Sequence, residues 1–231
     1  MKKIFPGYFK PSEKEILDLW ENGIIVFDAN YLLNIYRYSS STREELLKII
    51  ENFREKIWIS YQATFEFLQN RLDVIDQQIK SYEDIEKNID QVLETLKSPH
   101  KHPFLDEKLL TDLSSVIIKV KEDLQKRKLD YEKLLDEDDL LNRLVKLLEG
   151  RVGISFSEEK LKEIYKEGEI RYKRNIPPGF KDYQKSEPEK YGDLIIWFEM
   201  IEKAKSEKKG ILFITGDVKE DWWYKFKGKN K

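Results

Sequence analysis

The sequence predicts an α/β fold, a short central parallel sheet flanked by helices and interrupted by a long helical hairpin. Three observations predict it. Residues 24–27 (I-I-V-F), 57–59 (I-W-I) and 211–214 (I-L-F-I) are short apolar, β-branched runs, the pattern of strands buried on both faces. Each run adjoins a stretch of helical periodicity, and strands that alternate with helices pair in parallel. Between the second and third runs, residues 71–175 carry a charged, heptad-like pattern that belongs to helices lying outside a sheet.

Taken in order, residues 1–11 form an aromatic leader whose Phe5, Tyr8 and Phe9 are expected to pack on the body. Ser12 precedes a helix to Asn22, with Glu15 placed for a capping box. The first strand ends on Asp28. Tyr31, Leu32, Leu33, Ile35 and Tyr36 then recur at helical spacing to about Tyr38. S-S-S-T at 39–42 breaks that helix and caps the next, which turns Leu46, Leu47, Ile49, Ile50 and Phe53 inward. The second strand leads to a helix from Tyr61 that carries Glu66.

From residue 71 the spacing of Ile75, Ile79, Tyr82, Ile89, Val92 and Leu96 approximates a heptad seam. S-P-H-K-H-P at 98–103 ends it. A second long helix, about 105–135, is expected to turn Leu109, Leu113, Val116, Val120 and Leu124 inward, giving an antiparallel hairpin. Shorter helices follow at 139–149 and 158–171. N-I-P-P-G-F-K-D at 175–182 is a loop. The helix at 191–205 carries Asp193 near its start, and the third strand ends on T-G-D at Asp217. The expected division is therefore a core of 1–70 with 171–231, and a helical insertion at 71–170.

Composition narrows the chemistry. The 231 residues contain no cysteine, which excludes disulfides, thiolate zinc sites and a cysteine nucleophile. A formal net charge of −2 gives no global basic footprint for a polyanion, so any such contact needs a local patch. No stretch approaches the ~18 apolar residues of a membrane span, and the N-terminus lacks the apolar run of a signal peptide. A cytoplasmic protein is expected.

In open parallel sheets ligands bind beyond the carboxyl ends of the strands, and Asp28 and Asp217 each end one. The plainer reading of Asp28 is a helix cap, and of Asp217 a turn residue. Glu66 lies about two helical turns past the second strand, and Asp193 at the start of the helix preceding the third. We expect these four acids to converge on one edge. Unneutralised, they would repel one another and raise each other's pKa values. Hard divalent cations relieve that repulsion, and oxygen ligands favour Mg²⁺ or Mn²⁺ over zinc. The only histidines, His100 and His102, sit on the hairpin loop. One or two such ions can activate a water and stabilise the leaving oxygen of a phosphodiester. Arg171, Lys173, Arg174, Lys181 and Lys219 are candidates for a phosphate-contacting rim. Trp222 and Trp223 are expected to pack against the sheet rather than stack on bases.

Four segments, V-F-D-A-N-Y-L-L-N-I-Y-R-Y, W-I-S-Y-Q-A-T-F-E-F-L-Q-N-R, Y-G-D-L-I-I-W and F-I-T-G-D-V-K-E-D-W-W, resemble the signature segments of the PIN-like domains. The resemblance is to a large bacterial PIN-like group with a long helical insertion. It implies a three-layer fold with strand order 3-2-1-4-5, in which a final strand and helix are expected where this sequence stops soon after W-W-Y-K-F-K-G-K, so that either the edge strand is absent or the sequence is truncated there. It also implies a metal-dependent ribonuclease, with Asp28, Glu66, Asp193 and Asp217 at the acidic metal positions. Asn30, Thr215 and Asp221 would be supporting groups and Asp182 a further acid. The expected substrate is single-stranded RNA, with a protein partner or self-association through the 71–135 hairpin. Two alternatives stand beside it. A haloacid dehalogenase-like phosphatase would use Asp28 as nucleophile, but Asn30 stands where that family places a second aspartate. A non-catalytic PIN-like scaffold would bind a partner through the hairpin.

Overall fold

The computed structural model describes residues 1–2, 4–98, 104–223, 225–227 and 229–230. His100 and His102 lie outside the described residues. Strand β1 (Ile24–Phe27) is the centre of a parallel sheet, and all four of its side chains are buried. On one side β2 (Ile57–Trp58) places Ile57 against Ile25. On the other, β3 (Ile211–Ile214) pairs from Ile24↔Ile211 to Phe27↔Ile214. The order is β2-β1-β3, so Asp28 and Thr215 follow neighbouring strand ends on one edge.

Two differences from expectation concern the sheet. Strand β3 is half-buried rather than buried, because β1 is its single strand neighbour. Among the described residues this sheet has three strands rather than five. An isolated parallel bridge, Ile59↔Val152, extends it past β2. A separate antiparallel pair forms from β4 (Lys225–Phe226) and β5 (Lys229–Asn230).

Eight α-helices surround the sheet among the described residues. In α1 (Glu13–Asn22) the capping box forms, with Ser12 Oγ accepting from the Glu15 amide at 3.3 Å and Glu15 accepting from the Ser12 amide at 2.7 Å. This helix buries none of its residues. The leader therefore has no apolar floor to rest on, and Phe5, Tyr8 and Phe9 are exposed, contrary to expectation. Helix α2 (Ala29–Arg37) buries Leu32, Leu33, Ile35 and Tyr36. Helix α3 (Ser40–Asn52) buries Leu46, Leu47 and Ile50, while Ile49 faces solvent.

Helix α4 (Tyr61–Lys97) runs unbroken for 37 residues, straight through the 70/71 boundary expected between core and insertion. Ser60 caps it, its Oγ accepting from the Ala63 amide at 3.0 Å, and Ser60 is wholly buried. Ser60→Ala is expected to cost about 1–2 kcal/mol, read as a lower urea midpoint with unchanged m-value.

Helix α5 (Glu107–Asp136) runs antiparallel to α4, since Lys121 meets Asp90 and Lys128 meets Glu83. Those two lysines occupy the seam by laying their stems along it. In consequence Leu109, Val116 and Val120 of α5, and Val92 of α4, are exposed rather than inward. Helix α6 (Asp139–Leu148) returns to the core, burying Leu140, Leu144 and Leu148 in the same cluster as β1, α2 and α3. A buried polar node fixes it there. Asp138 accepts from the Tyr36 hydroxyl at 2.8 Å, caps α6 through the Leu141 amide, and pairs with Arg71 of α4. Helices α7 (Glu158–Lys173) and α8 (Gly192–Glu207) share a second, smaller cluster of Ile164, Tyr172, Tyr191, Leu194 and Ile195. No helix among the described residues is long and apolar enough to cross a membrane.

Candidate active site

Because the strands are parallel, their carboxyl ends and the helices leaving them define one edge. Asp28 is the N-cap position of α2, yet its carboxylate makes no capping hydrogen bond. It accepts instead from Thr215 Oγ1 at 2.7 Å, across to the end of β3. The same Thr215 oxygen accepts from the Asp217 amide at 3.0 Å. Thr215 thus ties the two strand-end acids together. Asp28 is buried, and burial raises its pKa. The Thr215 hydroxyl opposes that rise, and Asp217 adds to it.

A cleft of about 850 Å³ opens over this edge, lined by Glu66, Asp182, Asp193, Asp217 and Glu199 among others. Asp28 is not part of that lining. Glu66 sits two turns into α4 and accepts from Gln62 Nε2 at 2.8 Å. Its pKa is raised, by burial first, with Asp28 and Asp182 adding to the rise. Gly192, the first residue of α8, lets Glu66 in, since a Cβ there would collide with Glu66 Oε1. Asp193 is pushed up to about 7 by burial, with the charges of Asp28 and Glu66 contributing. Trp222 Nε1 donates to its Oδ2 at 3.0 Å and works the other way. Trp222 also packs against Phe213 of β3, ring centroids 5.1 Å apart.

Asp28 is therefore coupled electrostatically to Asp217, Glu66 and Asp193, and those three line one cleft. The supporting residues separate by role. Asn30 lines the cleft from α2. Asp182 follows Gly179, whose φ of +83° suits glycine, and meets Lys185 at 2.8 Å. Asp221 is wholly buried and accepts from the Lys181 amide at 3.2 Å, so it braces the loop that carries Asp182 rather than facing the cleft.

Of the five expected rim cations, only Lys219 lines the cleft. Its ammonium lies 3.4 Å from Asp217 and 3.9 Å from Asp182. Burial lowers its pKa, but Asp182, Asp217 and Asp193 outweigh that and hold it raised. The other four lie elsewhere. Arg171 donates to the Pro177 carbonyl, Lys173 pairs with Glu169 and Lys181 pairs with Glu220, while Arg174, the C-cap residue of α7 through its backbone amide, is exposed away from the cleft lining. Lys185 takes the place they were expected to fill.

Glu199 was not among the expected residues. It is buried on α8, accepts from the Gln62 amide at 3.1 Å, and leaves Oε1 without a partner. Burial pushes its pKa up to about 7. The sequence signal was an acid inside the apolar run I-I-W-F-E-M-I. A second cleft, of about 860 Å³, is lined by residues of α3 to α6 and includes none from the strand ends.

Among the described residues no group of three or more His, Cys, Asp or Glu side chains is placed to hold a metal ion. The donor chemistry still fits a hard dication. Mg²⁺ is usually held by one or two carboxylates, with water and substrate phosphate oxygens completing its shell. Buried carboxylates that raise one another's pKa are a set in want of positive charge. The indole donor bears on this directly. Trp222→Phe keeps the packing on Phe213 and removes the N–H. It is expected to weaken Mn²⁺ binding by about tenfold, as loss of a supporting hydrogen bond does at metal sites, measured by calorimetric titration.

A family model described as PIN like domain matches residues 24–231. No curated protein and no solved structure matches the chain.

Proposed function

The chain belongs to the PIN-like domain family, and from that premise we propose that it is a Mg²⁺- or Mn²⁺-dependent nuclease acting on single-stranded RNA. PIN-like domains are often nucleases and usually use these ions. The observation that supports the reading is the electrostatic coupling of Asp28, at the end of β1, to Asp217, Glu66 and Asp193, the last three of which line one cleft.

In this reading Asp28 and Asp217 would hold the principal ion, Asp193 would complete its surroundings, and Glu66 would orient the attacking water. When bound, the ion supplies charge neutralisation and polarises the phosphodiester. The chain supplies the rest. Thr215 fixes the Asp28 carboxylate, Gln62 fixes Glu66, and Trp222 fixes Asp193, so three acids are oriented before substrate arrives. Arg37, Lys185 and Lys219 line the cleft and are the cations available to substrate phosphates. Residues 71–170 are read as an insertion whose hairpin, 71–135, offers a surface to a protein partner or a second copy.

The test is cleavage of end-labelled RNA and DNA oligonucleotides with Mn²⁺ and with a chelator. Cleavage of RNA that needs the ion supports the reading, and RNA left intact with Mn²⁺ present overturns it. A non-catalytic scaffold is the second reading. It draws on the lack of a three-ligand group among the described residues, and calorimetry showing no Mn²⁺ or Mg²⁺ binding would favour it.

A further inference from the structure

The cleft is longer than the acids need. Along α4 it is lined from Tyr61 to Gln77, about 24 Å of helix at 1.5 Å per residue. Two large aromatic side chains, Tyr61 and Phe65, lie in this lining and are 40% and 48% exposed. Phe65 is the residue next to Glu66. The polar groups farther along the same helix are three amides, Gln69, Asn70 and Gln77, and the carboxylate of Asp73, with Asn30 and Arg37 lining the cleft from α2.

This lining has a distinct chemistry. Of the cleft's cations, Lys185 and Lys219 pair with acids at the strand-end edge, at Asp182 and Asp217, and Arg37 lines the cleft from α2, donating to Asn34. The α4 face itself presents no Lys or Arg to the cleft between Tyr61 and Gln77. A helix surface of exposed rings, amides and an acid is poorly matched to a phosphate backbone, and its rings and amides are well matched to bases. Every base has a π-face to stack on an aromatic ring, and an edge that amides can meet with both a donor and an acceptor. Those faces and edges are available in an unpaired strand and hidden in a duplex.

We propose that the α4 face bearing Tyr61 and Phe65 is a base-binding track for a single nucleic-acid strand, which stacks a base on Phe65 and so delivers the adjoining phosphodiester to Glu66 and its neighbours. The proposal rests on the nuclease reading for the chemistry that follows binding. Binding itself depends on the rings, and selection for unpaired strands follows from their use.

The experiment measures anisotropy of a fluorescein-labelled 12-nucleotide RNA, single-stranded or annealed to its complement, with Mn²⁺. The full chain carries Asp28→Asn so that the strand is not cut. Adding Phe65→Ala is expected to weaken single-strand binding by about tenfold or more, the scale of one lost base stack. Phe65→Trp is expected to restore it, and the duplex is expected to bind weakly and to ignore both changes. Phe65 is half exposed, and unchanged thermal melting checks that its removal leaves the fold intact. Equal affinity with and without the ring, or equal affinity for strand and duplex, overturns the track. So does a parent chain that binds no strand, which would leave the two rings to a protein partner. Cleavage by the wild-type chain is scored separately. Cleavage with ring-independent binding sinks the track alone, and ring-dependent binding without cleavage sinks the nuclease reading alone.

Discussion

Asp28→Asn is expected to lower Mn²⁺-dependent cleavage by at least about 10²-fold, the upper range seen for loss of a mere supporting partner at metal sites, while raising the melting temperature. The two effects have one cause. A carboxylate buried at a strand end is held there at a cost unless a cation meets it, and burial already raises the pKa of Asp28. An amide has the same shape without the charge. Its oxygen still accepts from Thr215 Oγ1, so the link between the ends of β1 and β3 survives. Relief of repulsion with Asp217, Glu66 and Asp193 adds to the gain in stability. Cleavage assays and thermal melting on the same preparation check both halves. A variant that cuts at the wild-type rate removes Asp28 from the chemistry, and a variant that melts well below wild type makes its carboxylate structural.

Without divalent ions, stability is expected to fall as pH rises from about 5 to 8, and Mn²⁺ is expected to restore it most at the alkaline end. The sign follows from proton counting. Asp193 titrates near 3.8 when unfolded and at about 7 in the fold, and Glu199 near 4.5 and at about 7. Between about pH 4 and pH 7 the native state therefore holds more protons than the unfolded chain, so the stability these groups contribute is full below that window and is lost across it. A carboxyl moved that far corresponds to ~4 kcal/mol, and Glu199 to ~3 kcal/mol. For a chain of this size that scale lowers the melting temperature by roughly 10 °C or more. An ion that binds the native carboxylates raises it again by mass action, and does so best where they are ionised. Melting curves at pH 5.5 and 8, with and without Mn²⁺, read this directly. A flat or rising trend in the ion-free protein contradicts the assignment, and Asp193→Asn should flatten the slope.

Much of this was legible in the residues because strands and their carboxyl ends are local signals. The runs at 24–27 and 211–214 each ended on a polar turn, and their pairing brought Asp28 and Thr215 within hydrogen-bond reach. The Ser12–Glu15 capping box was equally local. What escaped depended on partners distant in sequence. Four of the five expected rim cations lie outside the cleft lining, three of them paired elsewhere, and nothing in their spacing names the Pro177 carbonyl or Glu220 as partners. Glu199 was hidden by the apolar company it keeps, and its role emerges only beside the Gln62 amide. On the hairpin, counting apolar residues misplaced the seam, because Lys121 and Lys128 bury their stems where an aliphatic residue was expected.

The unbroken helix from Tyr61 to Lys97 makes the hairpin tip and the acid edge two ends of one rod. Only the tip end is free, because the buried residues Ala63, Phe67, Val74, Ile75 and Ile79 clamp the half that carries Glu66. Beyond Ile79 the helix continues for about 27 Å to Lys97 with none of its side chains buried. A load at the tip therefore flexes that outer arm and leaves the carboxylate where the core holds it.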